Sequence, residues 1–196
     1  MADNRPDLSN YLAHFTKGRP GKPALRILEE ILSSKRLLAS NLPWTNLPAV
    51  CFTECPWTSL LAHSKQYSPF GIGFAKPRVF AAGGGPAYYV RADHYKKQNW
   101  KKHVHTFVTP FWPKYRPASL KTDALGGKTI DYSHEREWRV PHDFVFEYSH
   151  VEFVILNSYD DMAKFSKDLK DQIGREKFIL MENYKTIEQL WPVHKV

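Results

Sequence analysis

Apolar residues recur at three- and four-residue intervals shortly after the start of the chain, at Ala24, Leu25, Leu28, Ile31 and Leu32. This spacing places them on one face of a helix, with Glu29 and Glu30 on the other face. Pro23 precedes them, and proline is favoured in the first turn of a helix because its missing N–H has no partner there. The pattern predicts a first helix that packs on the core.

Short stretches rich in β-branched and aromatic residues fill the middle of the chain, as is typical of strands. They are Tyr11–Thr16, Ala49–Glu54, Phe70–Ala75, Ala87–Arg91, Val104–Val108, Glu135–Val140 and Val151–Leu156. The connections are too short for repeated strand–helix–strand crossovers, so the sheet should be mainly antiparallel or mixed. We expect an α+β fold with a few packed helices, in a single domain over residues 1–196.

The remaining segments have their own signals. Ser158 is a good N-cap for a helix that continues to Gly174, where glycine favours a helix end. Further predicted elements are a short helix at Trp57–Ser64, a loop at Thr109–Lys128, a last strand at Phe178–Met181 and a last helix at Thr186–Trp191.

The chain has 196 residues, of which 42% are hydrophobic and 24% charged, as in globular proteins and unlike disordered ones. Its longest apolar runs fall far short of the roughly 20 residues that cross a bilayer, and residues 1–10 lack the apolar core of a signal peptide. We expect a soluble, cytoplasmic protein without membrane contact.

The net charge is +8, and the basic excess is uneven. Residues 1–130 hold 19 basic and 7 acidic side chains, whereas residues 131–196 hold 9 and 13. A basic surface beside an acidic last third indicates a cleft that attracts a polyanion or a phosphate-bearing cofactor. The alternative is a charge that only keeps the protein soluble.

The segment from His134 to Arg139 is the densest candidate for chemistry. On a strand, residues two apart share a face, so Glu135 and Glu137 should point together. Paired carboxylates can stabilise a cationic transition state, bind a ribose diol or act as a base. The alternative is an amphipathic edge strand with solvated charges.

His14 and Thr16 should likewise share a face of the first strand and could hold an amide or a ribose hydroxyl, unless His14 is only a hydrogen-bonded, partly buried histidine. Gly71 and Gly73 stand inside a predicted strand, which costs stability unless a ligand or a bulky neighbour approaches closely. No metal site is expected, because Cys51 and Cys55 have poor zinc spacing and the nine histidines form no metal motif.

Basic and aromatic residues alternate from Tyr95 to Lys128, with Lys101, Lys102 and Lys114 among the cations. Lysines bind phosphates and aromatic rings stack on bases, so this composition predicts a surface for nucleic acid. The alternative is a solvated loop over an aromatic subcore.

Several segments recur together in one known family: His14-Phe-Thr, the helix ending in Ile31-Leu32, Ala49-Val-Cys-Phe52, Tyr67-Ser-Pro-Phe-Gly-Ile-Gly-Phe-Ala-Lys76, Pro86-Ala-Tyr-Tyr-Val90 and Glu135-Arg-Glu-Trp-Arg139. In this order they resemble the AbiGi-like family of bacterial abortive-infection proteins, which confer phage resistance. The layout is more remotely similar to ADP-ribosyltransferases of the DarT type, which modify DNA.

The remote resemblance implies an ADP-ribosyltransferase that uses NAD as its cofactor and modifies a nucleic-acid or protein acceptor. It implies that Glu137 is catalytic, with Glu135 two positions before it. His14 and Thr16 would hold the nicotinamide side of NAD, and Tyr67 or Phe70 would stack on the nicotinamide. The family's antitoxin label implies the alternative, a non-catalytic antitoxin-like protein that binds nucleic acid or a cognate toxin.

Overall fold

The computed structural model describes residues 8–54, 67–115 and 128–190. Its strands are β1 (Tyr11–Phe15), β2 (Arg36–Leu37), β3 (Ser40–Asn41), β4 (Pro48–Thr53), β5 (Gly71–Ala75), β6 (Gly85–Pro86), β7 (Tyr88–Arg91), β8 (Val108–Phe111), β9 (Glu137–Val140), β10 (Phe144–Val145), β11 (Val151–Leu156) and β12 (Phe178–Leu180). Its helices are α1 (Ala24–Ser34), α2 (Lys76–Ala81), α3 (Ala92–Tyr95), α4 (Lys102–His105), α5 (Tyr159–Lys164), α6 (Lys167–Ile173) and α7 (Met181–Leu190).

One large sheet organises these elements. Its strand order is β12-β11-β5-β1-β4-β9-β6, and β3 adds to β4. All pairs in this sheet are antiparallel except β11 with β12, which are parallel because α5 and α6 form a crossover between them. The separate pair β7 and β8 is also parallel. The predicted α+β class with a mainly antiparallel or mixed sheet is confirmed, while the single-domain organisation stays a prediction.

The core lies between the sheet and α1. Leu28 and Leu32 of the helix are fully buried in the same cluster as Leu12, Phe52 and Phe74 of three sheet strands. Burying a side chain of this size stabilises a fold by about 1.5–3 kcal/mol. The predicted first helix and its apolar face are therefore confirmed.

The aromatic residues of the core pack edge to face. The ring of Phe74 lies 4.9 Å from that of Phe144 and 5.0 Å from that of Phe146, in both cases at a steep angle. This arrangement brings the positive edge of one ring to the negative face of another. It ties the segment after β9 to the centre of the sheet.

Two local predictions are wrong. Residues 104–107 do not form a strand, because the amides of Val104 and His105 donate to the carbonyl of Lys101, the residue that precedes α4. The strand begins at Val108 and pairs with β7, so residues 109–111 are not loop. Tertiary pairing has overridden a local apolar pattern here.

The helix predicted from Ser158 to Gly174 is also divided. The N-cap at Ser158 is confirmed, since its side chain accepts from the amide of Asp161. Phe165 then turns extended and enters the core, and Ser166 caps a second helix by accepting from the amide of Leu169. The last helix begins at Met181 and not at Thr186. The predicted helix at Trp57–Ser64 lies outside the described residues.

Gly73 admits an aromatic ring from the neighbouring strand. It pairs with Phe153 of β11, and a Cβ at Gly73 would stand 2.2 Å from that ring. Of the two interpretations of this glycine, the bulky neighbour is the one observed.

No helix among the described residues is long and apolar enough to span a bilayer.

Gly73→Ala should destabilise the protein by about 1–3 kcal/mol, because the half-buried ring of Phe153 must move away from the strand on which it packs. Denaturant unfolding would measure the loss. Gly85→Ala is the control, since the nearest atom to its added Cβ lies 3.5 Å away, and it should change stability by less than about 0.5 kcal/mol. Equal losses in the two variants would contradict this account.

Candidate functional site

A cleft opens where β1 and β4 separate. The two strands are neighbours in the sheet, yet only Ala13 and Thr53 are paired, whereas β1 and β5 pair along five residues. The cleft has a volume of about 250 Å³. Its walls come from five segments: Ala13, His14, Phe15, Leu42, Trp44, Cys51, Phe52, Thr53, Tyr67, Glu135 and Glu137.

His14 occupies the gap between the strands. Its Nδ1 lies 2.8 Å from the carbonyl oxygen of Cys51 on β4. A carbonyl only accepts, so Nδ1 carries the proton and Nε2 is an acceptor when the ring is neutral. Burial lowers the pKa of His14, more than the bond to Cys51 raises it, and this favours the neutral ring.

Glu135 lies beside the cleft in a single 3₁₀ turn, Ser133–Glu135, and not on the strand. Arg136 follows in the left-handed region with φ 45°, and β9 begins only at Glu137. The prediction that both glutamates stand on one strand is therefore wrong for Glu135. The two side chains nevertheless line the same cleft, because the turn at Arg136 redirects the chain.

The Glu135 carboxyl is buried and bound to Tyr67. The hydroxyl of Tyr67 donates to Oε1 of Glu135 at 2.5 Å. Burial raises the pKa of Glu135, while the bond from Tyr67 favours the charged form and lowers it. Burial and the bond to this carboxyl also raise the pKa of Tyr67. The raised pKa keeps the Tyr67 hydroxyl protonated, so it remains the donor in this hydrogen bond.

Glu137 is held by a buried arginine two residues further on. Nε and Nη2 of Arg139 donate to the two carboxylate oxygens at 2.9 and 2.7 Å. Arg139 is fully buried, and its other N–H groups donate to the carbonyls of Thr106 and Val108 and to the hydroxyl of Thr109. All five donors of the guanidinium thus have acceptors, as burial of this charge requires.

Two of the predicted site residues lie away from this cleft. Thr16 is 2% exposed, and its hydroxyl donates to the carbonyls of Ala24 and Phe70 at 3.1 and 3.3 Å. Phe70 packs against the core. The structure brings together His14, Tyr67, Glu135 and Glu137, but not Thr16 and Phe70, because β1 ends at Phe15.

Sequence reasoning missed Trp44 and the role of Arg139 at this cleft. Trp44 lines the cleft, and the Arg139 guanidinium lies 5.5 Å from the centre of its ring. Trp44 follows β3 without any pattern that links it to the glutamates. Arg139, by contrast, stands two residues from Glu137, and strand periodicity was a signal for their pairing.

A family model described as "Putative abortive phage resistance protein AbiGi, antitoxin" matches residues 30–185, which is more than half of the chain. The chain belongs to this AbiGi family. The resemblance read from the motifs is thereby confirmed, whereas no comparison supports the resemblance to DarT-type enzymes. No curated protein and no solved structure matches the chain.

The chemistry open to this AbiGi protein at the cleft follows from its side chains. Burial, with the nearby Glu137 carboxylate, raises the pKa of the Cys51 thiol, which disfavours a thiolate nucleophile. Across residues 8–54, 67–115 and 128–190, no three His, Cys, Asp or Glu residues lie together as metal ligands do. The cleft instead offers a neutral imidazole, a hydrogen-bonded carboxyl and apolar walls, which suit a small polar ligand.

The predicted nucleic-acid surface of the AbiGi protein is only partly available. Lys101, Lys102 and Lys114 are exposed. The rings between them are engaged, since Tyr95 stacks on Trp100 at 6.1 Å and Trp112 is buried. The alternative interpretation, a loop over an aromatic subcore, describes these rings better, and the binding of nucleic acid stays a prediction.

Glu137→Gln should destabilise the protein by about 3 kcal/mol, because it leaves the buried Arg139 without its counter-charge. Urea unfolding at neutral pH would measure the loss. Glu152→Gln is the matched control, since Glu152 is an exposed residue of β11, and should change stability by less than about 0.5 kcal/mol. A Glu137→Gln variant as stable as this control would show that the ion pair is not structural.

Proposed function

We propose that the protein is the antitoxin-type component of a phage-resistance system and acts in the cytoplasm by binding a cognate toxin, without catalysis. The observation that carries this proposal is the family match over residues 30–185, whose description names an antitoxin. A cognate toxin is the partner that such a protein implies. The arrangement of the cleft supports binding over catalysis.

The candidate catalytic groups are already engaged within the protein. Both oxygens of Glu137 accept from Arg139, so its charge is neutralised and offers little to a developing cation. Glu135 is tied to Tyr67, and His14 to the Cys51 carbonyl. The cleft of about 250 Å³ is also smaller than the roughly 300–1,000 Å³ of most small-ligand sites.

The surface offered to the toxin is the exposed basic stretch around α4. Lys96, Lys97, Lys101, Lys102 and Lys114 are exposed, and none has an ion pair with another described residue. Unpaired lysines attract an acidic partner surface and speed its association. Nucleic acid is the alternative partner of this surface, and salt-dependent binding of DNA or RNA by the purified protein would support it.

In uninfected cells that carry the complete resistance locus, deletion of the gene for this chain should arrest growth, because the toxin is then unopposed. Colony counts would measure the arrest. A plasmid copy of the wild type should restore growth, and so should Tyr67→Phe, which removes the bond to Glu135 and leaves the basic surface intact. Lys101→Glu with Lys102→Glu and Lys114→Glu should fail to restore growth.

Normal growth after the deletion would refute the antitoxin proposal. If Tyr67→Phe accumulates to the wild-type level and still fails to restore growth, the cleft is needed and the binding-only proposal is refuted. Immunoblots of each variant are therefore part of the measurement.

A second candidate function is NAD-dependent ADP-ribosyl transfer, favoured by the convergence of His14, Tyr67, Glu135 and Glu137 on one cleft. In this reaction the bond between nicotinamide and ribose breaks, the ring leaves with the electron pair, and the acceptor attacks the oxocarbenium carbon and loses a proton. His14 and Tyr67 would position the nicotinamide side of NAD. Glu137 would stabilise the cation only after releasing Arg139.

If the binding proposal holds, the wild-type protein with NAD should release no nicotinamide in the presence of single-stranded DNA, RNA or cell extract. Chromatography of nicotinamide and mass spectrometry of the acceptors would measure the reaction. Release above that of Tyr67→Phe, with added mass on an acceptor, would establish the second candidate instead.

A further inference from the structure

A second and larger cavity runs along α1. This α1 groove has a volume of about 1,140 Å³, and its walls are residues 14–17 and 19, one side of α1 from Arg26 to Ser34, and residues 36–40. Its apolar wall includes Ile27 and Ile31 of the helix, and Leu38, which is 71% exposed. Its volume slightly exceeds the range of most small-ligand sites, about 300–1,000 Å³, so a ligand of nucleotide size fits.

The α1 groove and the cleft adjoin each other. His14 and Phe15 contribute to the walls of both cavities. Beyond the single pair of Ala13 and Thr53, β1 and β4 are separate, which opens the sheet at this point.

The charges of the groove leave a positive excess at one end. Glu29 is paired with Arg26 at 2.8 Å, and Glu30 with Lys22. Arg36 is paired with Asp143. Lys17 and Arg19 also line the groove, are exposed, and make no ion pair with any residue that the structure describes.

We propose that the α1 groove binds a nucleotide with a diphosphate group. Lys17 and Arg19 contact the phosphates, since two cations on one short segment match adjacent phosphate groups and arginine can bind them in a bidentate manner. The base lies on Ile27, Ile31 and Leu38, which would cover apolar surface now exposed. This inference is independent of toxin binding.

Isothermal titration of the full chain with ADP would test the site. ADP should bind the wild type, and Lys17→Glu with Arg19→Glu should weaken binding by at least about tenfold, because charge-assisted contacts to phosphate are lost. Lys96→Glu with Lys97→Glu is the matched control, with the same change of charge at residues outside both cavities, and should weaken binding less than twofold. Lys17→Arg with Arg19→Lys should retain binding.

Leu38→Ser gives a second readout that does not depend on charge. This substitution should weaken the binding of ADP and leave the weaker binding of inorganic pyrophosphate unchanged, because only the contact with the base is removed. Circular dichroism establishes that each variant is folded. Absence of ADP binding to the folded wild type, or equal weakening by the two charge-reversal pairs, would overturn the nucleotide site. Neither result bears on the growth assay, which tests the toxin partner separately.

Discussion

The buried guanidinium of Arg139 is the constraint on which the candidate site depends. Taking a positive charge out of water costs several kcal/mol unless it is paired and hydrogen-bonded, and here five acceptors supply that compensation. Two of them belong to Glu137 on the same strand, and the others to residues 106–109. The ion pair therefore joins β9 of the large sheet to the beginning of β8, outside that sheet, and fixes one wall of the cleft.

The cleft exists because the sheet is incomplete between β1 and β4. Beyond the single pair of Ala13 with Thr53, β1 and β4 do not continue their ladder of backbone hydrogen bonds. The side chain of His14 provides a partner for one backbone group there, because its Nδ1 donates to the carbonyl of Cys51. A buried polar group without a partner is costly, so the histidine stabilises the opening. The same side chain stands between the small cleft and the larger groove along α1.

Both carboxylates of the cleft are engaged by hydrogen bonds within the protein. Glu137 already neutralises Arg139, and Glu135 shares a hydrogen bond with Tyr67. An AbiGi-family protein of this kind combines three surfaces in one chain: the polar cleft, the apolar and basic groove along α1, and the exposed lysines near α4. The lysines are the surface that we propose for the toxin, whereas the groove has the volume of a site for a small molecule.

Elements with local signals could be predicted from the amino-acid sequence. The periodicity of Leu28 and Leu32 defined α1, and the hydroxyl of Ser158 defined the start of α5, because helix faces and caps depend on residues a few positions apart. The motifs of the chain also led to its family. In the candidate site, alternation placed Glu137 on the side of the strand where Arg139 pairs with it.

Contacts between segments distant in the sequence determine which residues share the cleft. Tyr67 donates a hydrogen bond to Glu135, which lies 68 positions away in the sequence. Thr16 is buried, and its hydroxyl donates to the carbonyls of Ala24 and Phe70. β8 begins at Val108 because this segment pairs with β7. Phe165 is extended rather than helical, and its side chain is buried in the core. These outcomes depend on partners distant in sequence, whose positions follow from packing and from satisfying buried polar groups, and no local pattern encodes them.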